Sequence, residues 1–352
     1  MNSDQTIIFE LLAHQELKKF QEFIRNNWSK DHLFVNEESV FDWQHKGARA
    51  YHCLVAKRNG NLVGVHCVIP LSQFDKLLPT DQIFLALWSA SEKKGIGIGL
   101  RLFQNTLKEY KPKFVCSIGI NPRLVSFHKR QGFTVGIMDH HVILSPYVKE
   151  FKVAKVPDNL KFQSQKIKST ISYNKISKEE FNDLNTKELY LYQRPLKSDT
   201  YMINRYMNHP IYNYDIYKIL KDNKLKALCV IRPIINKNVR VLRFVDFVGS
   251  NNVFLLLNDF VLSLLKKTNA EYLDIYSHGI PSVLFEKSGF INRHKNKGLI
   301  IPNHFEPFTG NNMDLIFGYK NSFFHPPVRI FRADDDQDRP NQITRENECW
   351  TV

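Results

Sequence analysis

Three glycines at alternate positions, Gly95, Gly97 and Gly99, follow an apolar run and precede a helical pattern. A turn that joins a strand to a helix gathers unpaired backbone N–H groups and the positive end of the helix at one point. Glycine also lets a ligand approach the backbone closely, because it has no side chain. The spacing matches neither a P-loop, which requires Gly-Lys-Ser/Thr, nor the dinucleotide pattern G-x-G-x-x-G. The three glycines therefore predict an anion site suited to a pyrophosphate.

The elements that hold this turn follow from the spacing of the apolar residues. The run Gln82–Trp88 is typical of a strand, and Leu100, Phe103 and Leu107 then recur at helical spacing. Upstream, Asn59-Gly60 between two apolar runs predicts a tight β-hairpin, because glycine adopts the positive φ that such turns require. The pattern predicts alternating strands and helices with the glycine turn between them.

The same order of elements occurs a second time. A strand over 240–248, a helix over 254–267 and a strand over 271–276 follow a second hairpin pattern. Each copy ends with an aromatic residue followed closely by Gly-Phe, in Phe127 to Phe133 and in Phe285 to Phe290. The repeated order predicts a duplicated domain. The second copy keeps one glycine in its turn, Gly249, so we expect it to have lost the anion site.

Composition restricts the class of protein. The chain has 352 residues, 43% of them hydrophobic, with 26 Phe and 14 Tyr, which excludes a disordered chain and a small disulfide-stapled module. Five scattered cysteines with no C-x-x-C pair predict neither a disulfide framework nor a metal site. No targeting or membrane-spanning segment is apparent, so we expect a cytoplasmic protein that has no membrane partner. The net charge of +14 favours a polyanionic partner, but no nucleic-acid-binding motif is present, and nucleic acid is therefore not the preferred one.

The turn and the first Gly-Phe segment together resemble the GCN5-related N-acetyltransferase (GNAT) superfamily. The family turn reads Gln/Arg-x-x-Gly-x-Gly/Ala before a helix, and here it is Lys94-Gly-Ile-Gly97-Ile-Gly99. The later family pattern, an Asn, a short helix and Gly-Phe, is present from Asn121 to Phe133. Lys94 departs from Gln/Arg and supplies positive charge without the planar fork of arginine.

The resemblance implies an α/β fold with two tandem GNAT-like domains, each a mixed, mostly antiparallel central sheet flanked by helices. The expected segments are an acyl-CoA-binding domain at 1–150, a connection at 151–178, a degenerate second domain at 179–302, and a tail at 303–352 that packs near the acceptor cleft.

The resemblance also implies that coenzyme A is the acyl carrier and that no metal is needed. The pantetheine arm would pair with the end of the strand as an added strand, where a backbone N–H could also steady an oxyanion. The expected coenzyme-binding residues are Trp88, Ser89, Ala90, Lys94, Gly95, Ile96, Gly97, Ile98, Gly99, Leu100, Asn121 and Phe127.

Acyl transfer to an amine requires a base for the amine and an acid for the departing thiolate. The family acid is commonly a tyrosine four residues before the glycine of Gly-Phe, and His128 holds that position here. His141 is a candidate base, since His140 and His141 are adjacent on an expected strand and point to opposite faces. Asp246 is the third catalytic candidate; it shares a strand face with Phe244, so it is either partnered in the core or directed into a cleft.

A working copy, a degenerate copy and an acidic tail resemble bacterial sugar N-acyltransferases of surface-glycan pathways. That resemblance implies transfer of an acetyl or 3-hydroxybutyryl group to the amine of a dTDP-linked 3-amino-3,6-dideoxyhexose. The partners would be an acyl-CoA and this nucleotide-linked amino sugar. Asp336, Asp338 and Arg339 are the expected substrate-binding residues, through hydrogen bonds to hydroxyls or an ion pair with a diphosphate. A tandem-GNAT acyl or aminoacyl transferase that acts on an amino acid, a peptide or a peptidoglycan precursor remains the alternative.

Overall fold

The computed structural model describes residues 6–91, 97–160, 170–236 and 238–342. Most of the strands in these ranges form two mixed sheets, one of seven strands and one of eight, in which most pairs are antiparallel. The strands are β1 (Ile8–Leu11), β2 (Cys53–Arg58), β3 (Asn61–Pro70), β4 (Gln82–Ala90), β5 (Phe114–Ile118), β6 (Thr134–Ile137), β7 (Asp139–Leu144), β8 (Ile171–Lys175), β9 (Asp215–Lys221), β10 (Lys224–Asn236), β11 (Val239–Gly249), β12 (Tyr272–His278), β13 (Ile291–Asn292), β14 (His304–Phe305), β15 (Phe308–Thr309), β16 (Ile316–Asn321) and β17 (Ile330–Phe331).

The α-helices flank the sheets and are short except for three. They are α1 (Leu17–Asn27), α2 (Leu33–Asn36), α3 (Glu38–His45), α4 (Ile98–Tyr110), α5 (Val125–Arg130), α6 (Lys178–Asn182), α7 (Asp199–Met202), α8 (Asn258–Thr268) and α9 (Ser282–Lys287). The expected helix over 254–267 begins later than predicted, because a 3-10 turn over Asn251–Leu256 precedes α8.

The order of the first sheet is β1-β2-β3-β4-β5-β16-β6, and that of the second is β13-β7-β12-β11-β10-β9-β8 with β17 beside β12. Each sheet contains one parallel pair, β4 with β5 and β11 with β12. The equivalent position of these pairs agrees with the duplication that the sequence predicts. The expected α/β fold class is confirmed.

The two sheets exchange strands across the expected domain boundaries. β7 lies within 1–150, yet it pairs with β12 in the second sheet. β16 lies in the tail, yet it sits between β5 and β6 in the first sheet. β8 falls within the expected connection and pairs with β9. Local sequence pattern reports that a segment is a strand, but the choice of sheet depends on long-range pairing.

The cores lie between and outside the sheets. Phe84 and Phe114 of the first sheet share a core with Val230 and Val245 of the second, so the sheets face one another. On the outer face of the first sheet α4 buries Phe103, which stabilises the fold by about 2 kcal/mol.

Candidate active site at the opening between β4 and β5

The strands β4 and β5 pair only over Gln82–Phe84 and Phe114–Cys116, although β4 continues to Ala90. Beyond these pairs the strands separate and leave what we call the first opening. The register between β3 and β4 shifts between His66 and Val68, where β4 carries one extra residue. Such a bulge bends a strand and increases its twist, which directs β4 away from β5. The sequence has no signal for this bulge.

The backbone of Trp88 and Ala90 faces the first opening. The Ser91 N–H donates to the Val63 carbonyl over 3.0 Å. Along an antiparallel pair of strands, residues whose backbone groups bond to the partner alternate with residues whose backbone groups point away. The N–H and C=O groups of Ser89 therefore also point to β3, whereas those of Trp88 and Ala90 point away from it. This edge of β4 offers donors and acceptors to a ligand that lies beside it.

The N-terminus of α4 lies next to this edge. Gly97 caps the helix with a φ of +86°, a conformation that side chains disfavour, and a Cβ built there meets nothing within 4 Å. A Cβ on Gly99 would lie 3.5 Å from the Trp88 ring, which connects the helix to the end of β4. The first N–H groups of an α-helix lack intrahelical acceptors, and Gly97 has no side chain that could supply one. The described part of the turn is therefore open space beside free donors. Lys94, Gly95 and Ile96 lie outside the described residues.

Aromatic rings form the floor of the site. The Trp88 ring centroid lies 5.5 Å from that of Phe103 and 5.8 Å from that of Phe127. Asn121 is exposed and accepts a hydrogen bond from the Arg123 N–H, so it caps the turn that precedes α5. The other predicted coenzyme residues lie on β4 or on the first turn of α4, namely Ser89, Ala90, Ile98 and Leu100.

His128 lies beneath this cluster, 6.5 Å from Trp88 between ring centroids, and it is 3% exposed. Its Nδ1 lies 2.9 Å from the Leu124 carbonyl oxygen, so Nδ1 carries the proton and the neutral ring has an acceptor at Nε2. Burial lowers the pKa of His128 below 6.5, and this hydrogen bond acts in the opposite direction. The geometry therefore favours a neutral ring that accepts a proton.

Asp335 of the tail enters the first opening from the other side. The Gly119 N–H donates to the Ile316 carbonyl, which lies on β16. Because the direction of backbone N–H groups alternates along a strand, the N–H of the preceding residue, Ile118, points toward β4. There it donates to Asp335 Oδ2 over 3.0 Å. Asp335 is 0% exposed, and Oδ1 has no hydrogen-bond partner among the described residues. Burial and the neighbouring Asp336 raise the pKa of Asp335 well above its usual range, which favours the protonated carboxyl. The acidic run was the sequence signal for this residue, but its position depends on the docked tail.

The equivalent gap between β11 and β12, the second opening, is filled by the chain itself. These strands pair only over Leu242–Phe244 and Leu273–Ile275. Because β7 occupies one edge of β12, β17 pairs with the other edge at Ser277 and His278. Arg329 donates to the Gly249 carbonyl over 2.7 Å, so a cation occupies the turn of the second copy. This occupation supports the expected loss of the coenzyme site.

Two of the predicted catalytic residues lie in the second sheet rather than at the first opening. His141 on β7 stacks on Phe285 and contacts Ser282 Oγ over 2.8 Å, and burial lowers its pKa to about 3. Asp246 is 0% exposed and pairs with Lys197, while Tyr206 donates to it over 2.6 Å. The sequence placed His141 in the first domain because it could not show that β7 crosses to the second sheet. Of the two situations predicted for Asp246, the structure shows the first, in which the side chain is partnered in the core.

The predicted substrate residues of the tail are already engaged. Asp338 is buried, pairs with Arg205 over 3.0 Å and accepts a hydrogen bond from Tyr214. Arg339 pairs with Asp336 over 2.6 Å and lies 4.5 Å from the Phe34 ring. The tail docks between the two domains: Asp338 contacts the second domain through Arg205 and Tyr214, Arg339 contacts the first through Phe34, and Asp336 pairs within the tail.

In the described ranges no group of three or more His, Cys, Asp or Glu side chains is arranged to hold a metal ion. Within the same ranges no helix is both long and apolar enough to cross a membrane.

The comparisons with known proteins agree with this geometry. The acetyltransferase (GNAT) family profile matches residues 15–133, about a third of the chain. A GCN5-related N-acetyltransferase from Anabaena variabilis has a similar fold, with a TM-score of 0.54, 11% identity and coverage of 89% of this chain and 72% of that one. A protein of unknown function from Enterococcus faecalis, described as a probable N-acyltransferase, has a TM-score of 0.52 and 10% identity, with coverage of 81% and 70%. No curated protein sequence matches the chain significantly. The resemblance to the GNAT superfamily is confirmed for the first domain, and acyltransferase is the enzyme class that it supports.

Proposed function

We propose that the chain is an acyl-CoA-dependent N-acyltransferase whose donor site is the first opening. The observation that carries the proposal is the separation of β4 from β5, with the backbone of Trp88 and Ala90 facing the gap beside the N-terminus of α4. A pantetheine arm is an extended amide chain, and a free strand edge is the surface that pairs with such a chain. The open space at Gly97 and the free N–H groups of α4 fit a pyrophosphate.

A bound acyl-CoA would supply an activated thioester. The residues of this chain would hold it and move protons. Backbone N–H groups on the edge of β4 are oriented to stabilise an oxyanion. His128 Nε2 accepts the proton that the amine loses, and Asp335 Oδ1 donates a proton to the departing sulfur. The pKa of His128 is lowered and that of Asp335 is raised, and such opposite displacements are a common basis for a division into base and acid.

The acceptor in this proposal is the amine of a dTDP-linked 3-amino-3,6-dideoxyhexose, and the acyl group is acetyl or 3-hydroxybutyryl. Two features support this acceptor, and both are expected from the resemblance to sugar N-acyltransferases. The chain itself fills the second opening but not the first, and an acidic tail docks between the two domains. The tail residues Asp335 and Gln337 lie at the first opening, where an acceptor must meet the donor.

The donor site is tested by Gly97→Val. The substitution is expected to weaken acetyl-CoA binding at least tenfold, because a branched side chain fills the space where the backbone must approach the pyrophosphate. The measurement is the Kd for acetyl-CoA by isothermal titration calorimetry.

Gly60→Val is the matched control. Gly60 also has a positive φ, +72°, and a Cβ there also meets nothing within 4 Å, but Gly60 lies in the hairpin between β2 and β3. Both substitutions place a branched side chain at a positive φ with open space around it, so the control separates backbone strain from an effect on coenzyme binding. Equal Kd values for the two variants would contradict the assignment of the donor site.

A further inference from the structure

A cavity of about 410 Å³ lies beside the second sheet. Strands β9, β10 and β11 and the end of α8 form one wall, and residues 303–306 and 337–340 of the tail form the other. Glu37 of the first domain lies at its rim. The two domains and the tail thus contribute to a single cavity.

The lining carries an excess of positive charge. Six cationic side chains line the cavity against four carboxylates. Lys175 and Asp215 pair with each other within the lining. Outside the lining, Arg205 pairs with Asp338 and Asp336 pairs with Arg339, so the excess of two positive charges remains. The hydrogen bond of Arg240 goes to the carbonyl oxygen of Thr268 over 3.1 Å. Lys267 is exposed and has neither a hydrogen bond nor an ion pair with the described residues. These cations are available to an anion.

A deeper cation lacks full compensation. Arg243 is 3% exposed and donates one hydrogen bond, to the Pro302 carbonyl over 2.8 Å. Its Nε has no hydrogen bond within the described part of the chain, and its ion pair with Asp274 is long, at 3.8 Å. Burial lowers the pKa of Arg243 to about 10. Desolvating a guanidinium that is only partly compensated is costly, and an anionic ligand would offset that cost.

Aromatic rings lie beside these cations. Arg232 lies 4.0 Å from the centroid of the Tyr212 ring, and Tyr217 and Phe305 also line the cavity. The Tyr212 hydroxyl is buried without a hydrogen-bond partner among the residues described. A buried hydroxyl next to ring faces suits a planar ligand with hydrogen-bonding edges.

Gln337 lies between the cavity and the end of β5. It lines the cavity, and a Cβ built on Gly119, the residue after β5, would lie 2.9 Å from its carboxamide. An acceptor that is held in the cavity and reacts at the first opening would pass this side chain.

We infer that this cavity binds the nucleoside diphosphate part of the acceptor, with the planar base against Tyr212 and the diphosphate near Arg240 and Lys267. The inference rests on the proposed function, because it assigns the acceptor a binding site. Two of the three residues that the sequence analysis expects to bind the substrate, Asp338 and Arg339, line this cavity, whereas Asp336 does not.

The test compares Lys267→Ala with Lys266→Ala by isothermal titration calorimetry with dTDP. Both lysines are exposed on α8 and both substitutions remove one positive charge, but only Lys267 lines the cavity. We expect Lys267→Ala to raise the Kd for dTDP about tenfold, as for loss of one charge-assisted contact, and Lys266→Ala to leave it unchanged. Tyr212→Phe should weaken dTDP binding several-fold while the ring remains. The Kd for acetyl-CoA should stay constant in all three variants.

The outcomes separate the inference from the proposed function. If dTDP binds and Lys267→Ala and Tyr212→Phe behave like Lys266→Ala, the inference is wrong and the proposed function stands. If acetyl-CoA binds and dTDP does not, the inference and the proposed acceptor are wrong, but acyl transfer stands. If acetyl-CoA does not bind, the assignment of the donor site is wrong, whether or not dTDP binds.

Thymidine, which lacks the diphosphate, should bind more weakly than dTDP, and its affinity should not depend on Lys267. A thymidine affinity equal to that of dTDP would overturn the diphosphate assignment.

Discussion

Burial favours the neutral form of both His128, which contacts the Trp88 ring, and Asp335, which accepts a hydrogen bond from the Ile118 N–H. For a histidine the neutral form is a base, and for a carboxyl it is an acid. In the proposed reaction His128 is therefore the base and Asp335 the acid, whereas the sequence analysis expected His128 to be the acid.

His128→Phe is expected to lower kcat at least 100-fold with little change in the Kd for acetyl-CoA, because the aromatic packing remains and the proton acceptor is lost. In the native enzyme kcat/KM should fall as the pH drops through the lowered pKa of His128, since Nε2 becomes protonated. The variant should lack this acidic limb. A variant that is as active as the native enzyme would exclude His128 from the reaction.

Asp335→Asn tests the acid. The asparagine can still accept the hydrogen bond from the Ile118 N–H, but it has no proton of suitable acidity to transfer. We expect kcat to fall about 100-fold while KM for acetyl-CoA changes little, and the alkaline limb of the pH profile to disappear. A proportional rise in KM with an unchanged kcat would instead indicate that Asp335 only holds the tail.

Individual residues were predictable from the sequence where local pattern decides. Gly97, Gly99, Phe127 and His128 all lie around the first opening as their spacing suggests. Asp335 was visible only as one of several acidic residues, because its role depends on a contact with Ile118, far away along the chain.

Among the elements, the exchanged strands β7 and β16 connect the two sheets to each other. β6 contacts the first sheet only through β16, since the order is β5-β16-β6. β7 pairs with β12 and β13, and both lie beyond residue 150. Strand type was predictable at each of these places from apolar alternation. Partner choice was not, because pairing across such distances leaves no local signal.

The exchange predicts that residues 1–150 cannot fold alone. In that fragment β6 and β7 have no neighbouring strand, and unpaired strand edges favour aggregation. We expect the fragment to unfold without a cooperative urea transition, followed by circular dichroism, and to bind no acetyl-CoA. The full chain in the same buffer serves as the reference. A sigmoidal transition of the fragment together with acetyl-CoA binding would show that the first domain is autonomous.

For the whole molecule, buried neutral histidines link stability to pH. Burial lowers the pKa of five of them to between about 3 and 4, from an ordinary value of 6.5, namely His32, His45, His66, His140 and His141. The unfolded chain takes up protons below pH 6.5 and the folded chain does not, so their stabilisation is present above pH 6.5 and is lost as the pH falls. Three carboxyl groups act in the opposite direction, because burial raises the pKa of Asp334 to about 6 and also raises the pKa values of Asp335 and Asp139, but they are three groups against five.

The free energy of unfolding should therefore fall between pH 7.5 and pH 5.5, by about 1 kcal/mol for each histidine. Urea denaturation at constant ionic strength measures this fall. A midpoint that stays constant or rises over this range would contradict the burial of these side chains in their neutral form.

The strand that fills the second opening also determines how the molecule responds to coenzyme supply. β17 is tethered to the domain that it fills, and a tethered segment has an effective local concentration in the millimolar range for a short flexible linker. A dissolved competitor would have to exceed that concentration, and would also have to displace Arg329 from Gly249. The second domain therefore stays closed at any ordinary concentration of acyl-CoA, and saturation is expected at one coenzyme per chain.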